Sequence, residues 1–257
     1  MRFKSLGSGS SGNATVVQAR SGTSITHLLV DCGLGIRQLD LRLAQAGMMA
    51  DQLDAIFITH EHADHIGCAR QIALRERIPV WMSHGTYVAI GEPDFGGLLR
   101  IACDSIAMDL GAMEVMPFTV PHDAREPLQL TCNDGDSRLG LLTDLGHAST
   151  HVLAQLAGCR TLVLECNHDP AKLAESSYPA FLKRRVGGAY GHLSNQAAGE
   201  IAAAMIPSGL KQVVAAHLSE QNNRPELARR ALASALSCGD DDIHVADGPS
   251  GCGWLTA

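Results

Sequence analysis

The sequence predicts an α/β protein whose sheets are covered by helices, folded as one domain over 1–257. Three observations carry this expectation. Short apolar runs of strand length alternate with segments whose apolar residues recur at helical spacing. Hydrophobic residues make up 46% of the 257 residues and charged residues 18%, a balance that suits a packed core and not a disordered chain. No fixed-period repeat, proline-rich linker or block of like charge divides the sequence, and its length fits a single domain.

Taken in order, Gly7-Ser8-Gly9-Ser10-Ser11-Gly12 reads as a loop joining two strands, because Asn13-Ala14-Thr15-Val16-Val17-Gln18 follows at once with a strand signal. Thr15–Gln18 and His27–Asp31 are apolar runs bounded by Gly and Ser, and they suit a hairpin. Ile36, Leu39, Leu43 and Ala46 fall at helical spacing and stop at Gly47. Asp54–Thr59 is a short buried strand ending at His60. From Asp64 to Arg77 the residues Ile66, Ala69, Ile72 and Ala73 recur at roughly helical intervals with Pro79 just beyond, so one helix is expected there. Pro79–Met82, Ala112–Val120, Leu139–Thr143, Thr161–Glu165 and Gln212–Ala216 read as strands, and Ser149–Ala157 as a helix. Ser194–Met205 is an Ala-rich helix with Ser194 as its N-cap, and Arg224–Ser237 is a further helix.

The formal charge, 20 Lys+Arg against 27 Asp+Glu, is −7 with histidine neutral. That argues against a broad basic surface gripping polyanions and leaves room for a local, metal-centred phosphate site. Aromatics at 4% argue against ladders of stacking rings for single strands. The eight cysteines include no Cys-x-x-Cys pair and read as reduced thiols in small apolar niches. Met1-Arg2-Phe3-Lys4 runs into Gly and Ser, and no apolar run approaches membrane-spanning length, so a cytoplasmic protein without membrane contact is expected.

The twelve histidines point to chemistry, because neutral imidazole is the commonest protein metal ligand. Thr59-His60-Glu61-His62-Ala63-Asp64-His65 sits at the end of a buried strand. In an extended loop His60 and His62 project to one side, while Asp64 and His65 follow at the turn into a helix. One open zinc site needs three protein ligands and would leave part of this cluster idle; two ions about 3.5–4 Å apart use all of it together with ligands from elsewhere. A lone His-x-His is most often a pair of solvated loop residues, and four potential ligands within six residues are not. His122, Asp144 and His217 each fall within a residue or so of the end of a predicted strand, where loops converge in α/β architectures. Singly each is weak, since such histidines are usually structural and an aspartate before Leu-Gly is often a turn former.

The run His60, His62, Asp64, His65 resembles the His-x-His-x-Asp-His signature of the metallo-β-lactamase superfamily, and the resemblance spreads over nearly the whole chain. Val30-Asp31-Cys32-Gly33 looks like its first motif, Val120-Pro121-His122-Asp123-Ala124 its third, Leu142-Thr143-Asp144-Leu145-Gly146 its fourth and Ala215-Ala216-His217-Leu218-Ser219 its last. The resemblance implies a four-layer αβ/βα sandwich and two divalent ions, Zn²⁺ or Mn²⁺. One ion is expected on His60, His62 and His122, the other on Asp64, His65 and His217, with Asp144 between them and Asp31 supporting the metal loop from behind. Cys68, where a small residue often follows the metal loop, is expected to pack as a small apolar group.

Leu6-Gly7-Ser8-Gly9-Ser10-Ser11-Gly12-Asn13, Glu165-Cys166-Asn167-His168-Asp169, Gly191-His192-Leu193-Ser194-Asn195 and His217-Leu218-Ser219-Glu220-Gln221-Asn222-Asn223 together resemble the YycJ/WalJ-like group. Its members are regarded as nucleases, including exonucleases acting on duplex DNA, with the tRNA 3′-processing hydrolases as more distant relatives. The resemblance therefore implies a nucleic acid substrate, DNA before RNA. A water bridging the cations is the expected nucleophile, with Asp64 orienting it. His192, just before the Ser194 cap, is expected to stabilise phosphate or protonate the leaving oxygen, and Ser194 and Asn13 to face the substrate, although caps and hairpin turns share their composition. His168 reads equally as a wall of the site or a loop polar; His27, His84, His147, His151 and His244 read as structural. A thioester or lactone hydrolase of the glyoxalase II or lactonase kind would use the same ligand set, and a metal-binding partner protein without catalysis is the reading from outside enzymology.

Overall fold

The computed structural model describes residues 1–248 and 250–257. Among these, the first half of the chain gives β1 (Arg2–Gly7), β2 (Ala14–Ser21), β3 (Ser24–Val30), α1 (Ile36–Gln45), β4 (Ala55–Phe57), α2 (Ala63–Ile66), α3 (Ala69–Glu76), β5 (Val80–Met82), α4 (His84–Ala89), β6 (Leu99–Ile101), β7 (Met108–Asp109) and β8 (Glu114–Thr119). The second half gives β9 (Leu128–Asn133), β10 (Arg138–Leu142), α5 (Thr150–Leu156), β11 (Thr161–Glu165), α6 (Pro170–Glu175), α7 (Ala180–Val186), α8 (Asn195–Met205), β12 (Gln212–Ala216), α9 (Pro225–Leu236), β13 (His244–Val245) and β14 (Leu255–Thr256).

The strands form two sheets, in the orders β14-β1-β2-β3-β4-β5-β6 and β13-β12-β11-β10-β9-β8-β7. In the first, β1, β2 and β3 pair antiparallel and β3 to β6 parallel; in the second, β10 to β13 run parallel and β7 to β10 antiparallel. Side chains alternate across a strand, so each central strand feeds two cores. On β3, Leu28 and Val30 enter the core between the sheets while Leu29 faces α1 and α3. On β11, Val163 faces the other sheet while Leu162 and Leu164 lie beneath α5, α8 and α9. Burial on both faces is why these strands read as unbroken apolar runs. Helix, sheet, sheet and helix make the four-layer αβ/βα sandwich the sequence implies.

Sequence and structure part between Asp64 and Arg77. The single helix expected there is two pieces, α2 and α3, separated at Gly67, whose φ of 29° lies in the left-handed half of backbone space. The break follows from how closely two loops pass: a Cβ on Gly67 would collide with the Cys32 carbonyl, and one on Gly33 with the backbone of Asp64. Cys32 N donates to His65 O and Cys68 N to Cys32 O, fastening the end of β3 to α2. Cys68 packs as a small buried group, its Sγ 3.5 Å from that of Cys32. Among the described residues no helix is long and apolar enough to cross a membrane.

Candidate metal centre

Every predicted ligand emerges just beyond a strand or in the short helix that follows one. His60 and His62 lie in the loop after β4, with Asp64 and His65 on α2; His122 follows β8, Asp144 follows β10 and His217 follows β12. Asp31, Asp144 and His217 hold φ of 61°, 54° and 55°. Left-handed backbone is uncommon for residues with a Cβ and costs on the order of 1 kcal/mol each, so these turns persist because their surroundings hold them. The packing of two sheets thus aims seven side chains at one point between the strand ends.

His60, His62 and His122 form one group, with His62 Nδ1 3.0 Å from His60 Nε2 and 3.4 Å from His122 Nε2. Asp64, His65 and His217 form a second, with Asp64 Oδ2 3.7 Å from His65 Nε2 and 3.8 Å from His217 Nε2. Asp144 lies against the second group, its carboxylate oxygens 3.2 Å from His65 Nε2 and 3.4 Å from His217 Nε2, and it also groups with His60. His62 and Asp64, together with His192, keep about a quarter to a third of their side chains exposed and form an open rim, with side-chain exposures of 31%, 27% and 24%; His60, His65, His122, Asp144 and His217 are buried.

Groups behind the cluster decide which ring nitrogens face inward. An ionised carboxylate or a carbonyl can only accept, so the nitrogen beside it carries the hydrogen. His65 Nδ1 donates to Asp31 Oδ2 at 2.8 Å, His122 Nδ1 to the Gly191 carbonyl at 3.1 Å and His217 Nδ1 to Glu165 Oε1 at 3.0 Å. Each leaves Nε2 toward the cluster as a lone-pair donor. Asp31 is fixed in turn by Thr59, whose backbone N–H and hydroxyl both donate to it. Glu165, fully buried at the end of β11, also accepts from His192 Nδ1 at 2.8 Å and from the backbone N–H groups of Leu145 and Leu193.

The cluster is electrostatically divided. Burial, reinforced by repulsion from the neighbouring imidazoles, holds His60 well below its ordinary value, and burial also lowers His122. For His65, burial favours the neutral ring but Asp144, Asp31 and Asp64 prevail and push its pKa up to about 9. Burial is likewise outweighed at His217, raised well above the usual range by Asp144, Asp64 and Glu165, and at Asp64, drawn down to about 2 by His217 and His65. Asp144 Oδ2 and His217 Nε2 are buried without a hydrogen-bond partner. Stranding two such atoms is costly, and a divalent cation among the imidazole nitrogens and carboxylates satisfies both. The donor set fits divalent metal.

The structure thus gathers His60, His62, Asp64, His65, His122, Asp144 and His217, with Asp31 directly behind. Asn13 is close as well, its Nδ2 3.0 Å from His65 Nε2 and 3.2 Å from the Asp64 carbonyl, which places it against the metal loop. Ser194 is committed to capping, its hydroxyl accepting from Ala197 N, while His192 stands at the rim. His168 is buried, with its backbone bridged to Ser194. Sequence reasoning did not single out Glu165 as a site residue. The available signal was a carboxylate closing the apolar run Thr161-Leu162-Val163-Leu164, where a charge can be buried only if it is partnered.

Two seven-stranded sheets with a histidine and carboxylate cluster between their strand ends define a metal-dependent hydrolase of the metallo-β-lactamase fold. The chain belongs to the metallo-β-lactamase superfamily, whose sequence pattern matches residues 7–163. It is 33% identical over 240 residues to the Bacillus anthracis protein named exodeoxyribonuclease YycJ, covering 92% of this chain and 89% of that one. It is 31% identical over 249 residues to exodeoxyribonuclease WalJ of Streptococcus pneumoniae, covering 95% and 91%. In three dimensions it resembles the metallo-β-lactamase fold protein YhfI of Bacillus subtilis with a TM-score of 0.76 at 17% identity, over 99% of both chains, a likeness of fold alone.

Proposed function

We propose that this protein is a dinuclear-metal phosphodiesterase that removes nucleotides from DNA ends. The observation that carries the reading is the pair of ligand groups meeting at Asp144, with His192 held at their open rim by Glu165. Its similarity to two proteins named exodeoxyribonucleases, over more than nine-tenths of the chain, supports the choice of DNA. In this reading His60, His62 and His122 would hold one Zn²⁺ or Mn²⁺ and Asp64, His65 and His217 the other, with the Asp144 carboxylate available to both. Bound divalent cations bring water toward ionisation near neutral pH and polarise a phosphoryl oxygen.

The chain's own groups do the rest. Asp64, held ionised and partly exposed, accepts a hydrogen bond from the attacking water and fixes its line of approach. Burial favours a neutral His192, but the Glu165 carboxylate on Nδ1 outweighs it and raises the ring's pKa. The proton on Nε2 is then available to the leaving oxygen as the P–O bond breaks. Before that it offers a donor to the crowded phosphoryl oxygens. Asn13 steadies the loop that carries Asp64 and His65.

The test is a metal-reconstituted assay on end-labelled duplex and single-stranded DNA and RNA, run beside bis-p-nitrophenyl phosphate, a glutathione thioester and an acyl lactone. Stepwise shortening of DNA from an end is expected, with neither acyl substrate turned over. Thioester or lactone hydrolysis without phosphodiester cleavage in Mn²⁺, Mg²⁺ and Zn²⁺ would sink the proposal.

A further inference from the structure

The stretch from 176 to 199 contains no Asp or Glu in a chain whose formal charge is −7. Within it Lys183-Arg184-Arg185, the longest basic run in the sequence, occupies the last turn of α7. No residue of α7 is fully buried; Leu182, Lys183 and Val186 are half-buried, and packing does not account for the exposed Phe181, Arg184 and Arg185. Phe181 and Tyr190, 66% and 63% exposed, bracket the run and are the only exposed Phe, Tyr or Trp residues among the described residues, where the other Phe, Tyr and Trp rings are buried or half-buried. An exposed ring has no reason in the folded core to be aromatic, and two such rings around three cations have the chemistry of a surface that takes bases and phosphates together.

The segment is also tied to the metal centre. Arg185 Nε donates to Asp123 Oδ2 at 2.6 Å, and the other oxygen of Asp123 lies 3.4 Å from His122 Nε2. The Gly191 carbonyl holds His122 from behind, and His192 N donates to the Val186 carbonyl at 2.8 Å. Phe181 and Arg185 are four residues apart and share one face of α7, so the exposed ring lies on the same side of the helix as the guanidinium that reaches Asp123. Beyond the cluster's edge, Tyr190 forms one wall of an open groove of about 440 Å³ with Pro121, His147 and His151, and Pro121 directly precedes His122. Arg184 is exposed and forms no ion pair among the described residues.

From this geometry we infer that the segment from Pro179 to Tyr190 is a strand-holding arm: it binds the unpaired end of a nucleic acid strand, with Arg184 on a phosphate and Phe181 and Tyr190 stacked on bases, and leads the strand to the metal centre. The inference rests on the phosphodiesterase reading and names how that site takes its substrate. Arg185 is the fastening to the metal loop, and Arg184 is the cation left for the ligand. A metal pocket alone does not distinguish a frayed end from a blunt duplex; rings that stack on bases do, because a paired base hides its faces.

The experiment measures binding of metal-loaded protein to a fluorescein-labelled oligo(dT) strand made with phosphorothioate linkages, by anisotropy across a salt series. Phe181→Ala and Tyr190→Ala are each expected to weaken binding about 10-fold. Arg184→Ala is expected to weaken it and to make the slope of log K against log salt shallower by about 0.7, the share of one phosphate contact on a single strand. Metal content and Tm are expected to match wild type in all three. Arg230→Ala, which removes an exposed cation of α9, is expected to bind as wild type does. Arm variants that bind as tightly as wild type, with an unchanged salt slope, overturn the arm while leaving the nuclease reading in place. Wild-type protein that neither binds nor cleaves any nucleic acid overturns both.

Discussion

His65, His122 and His217 each commit Nδ1 to an acceptor, and the acceptor determines what losing it does. Glu165 serves two rings through one oxygen, so Glu165→Gln keeps the volume but removes the charge and sets an amide N–H against groups that all donate. A loss of roughly 10–100-fold in metal affinity or turnover is expected, the usual range for a partner standing behind a ligand. His192→Ala differs, because that ring is not among the seven proposed ligands: metal content is expected to stay whole while turnover falls ~10²–10⁴-fold. Titration against a competing chelator beside kcat separates the two, and a His192→Ala enzyme of normal rate would reassign the ring to packing. The divided electrostatics give a pH dependence of known sign. In the metal-free protein His65, with its pKa of about 9, carries a second proton at neutral pH, as does His217, while His60 and His122 are already neutral. Ligation needs the free nitrogen, so metal uptake at neutral pH is expected to release protons, and affinity to climb as pH rises above neutrality. Calorimetry in buffers of differing ionisation heat counts the protons, and zero net release would contradict the assignment.

At the scale of elements, the metal loop depends on two glycines where β3 and α2 pass. Gly33→Ala would force a methyl into the Asp64 backbone, which has no rotamer to yield, and a destabilisation of about 1–3 kcal/mol is expected with loss of metal. Gly253→Ala, with nothing within 4 Å, is expected to be neutral. Urea unfolding of both variants checks the contrast, and equal midpoints would remove the close-approach argument. The same crossing explains why the helix expected over 64–77 is two: the apolar spacing is continuous, but the tertiary contact that breaks it lies more than thirty residues away in sequence, between Cys32 and Gly67. β3, β4, β11 and β12 were legible because their apolar stretches Leu28–Val30, Ala55–Phe57, Leu162–Leu164 and Val213–Ala216 are buried on both faces. β9 was not, since its run Leu128-Gln129-Leu130-Thr131-Cys132 buries polar residues, with Gln129 donating to the Thr143 carbonyl. α7 buries no residue fully, and its half-buried Leu182 and Val186 make a stripe too short to mark a helix. The clustering of the seven proposed ligands was legible from motif and strand ends; the place of Glu165 was not, because its partners His192, His217, Leu145 and Leu193 come from three separate stretches of chain.

For the molecule as a whole, the two sheets supply different ligands. His60, His62, Asp64 and His65 follow β4 of the first sheet, while His122, Asp144 and His217 follow β8, β10 and β12 of the second. Neither sheet alone holds a complete group for the two proposed cations, so metal bound there would tie the layers together at the edge of the core they share. An ion that binds only the folded arrangement stabilises it by about 2.7 kcal/mol at a hundredfold excess over Kd. For a chain of this size that corresponds to roughly 5–10 °C in Tm. Calorimetric melting in EDTA and then in Mn²⁺ or Zn²⁺ is expected to show a rise of this order, growing with metal concentration. Asp144→Ala removes the carboxylate that reaches from the second sheet to His65 of the first, so its metal-dependent rise is expected to shrink. A Tm indifferent to metal in the wild-type protein would mean that the cluster does not bridge the sheets.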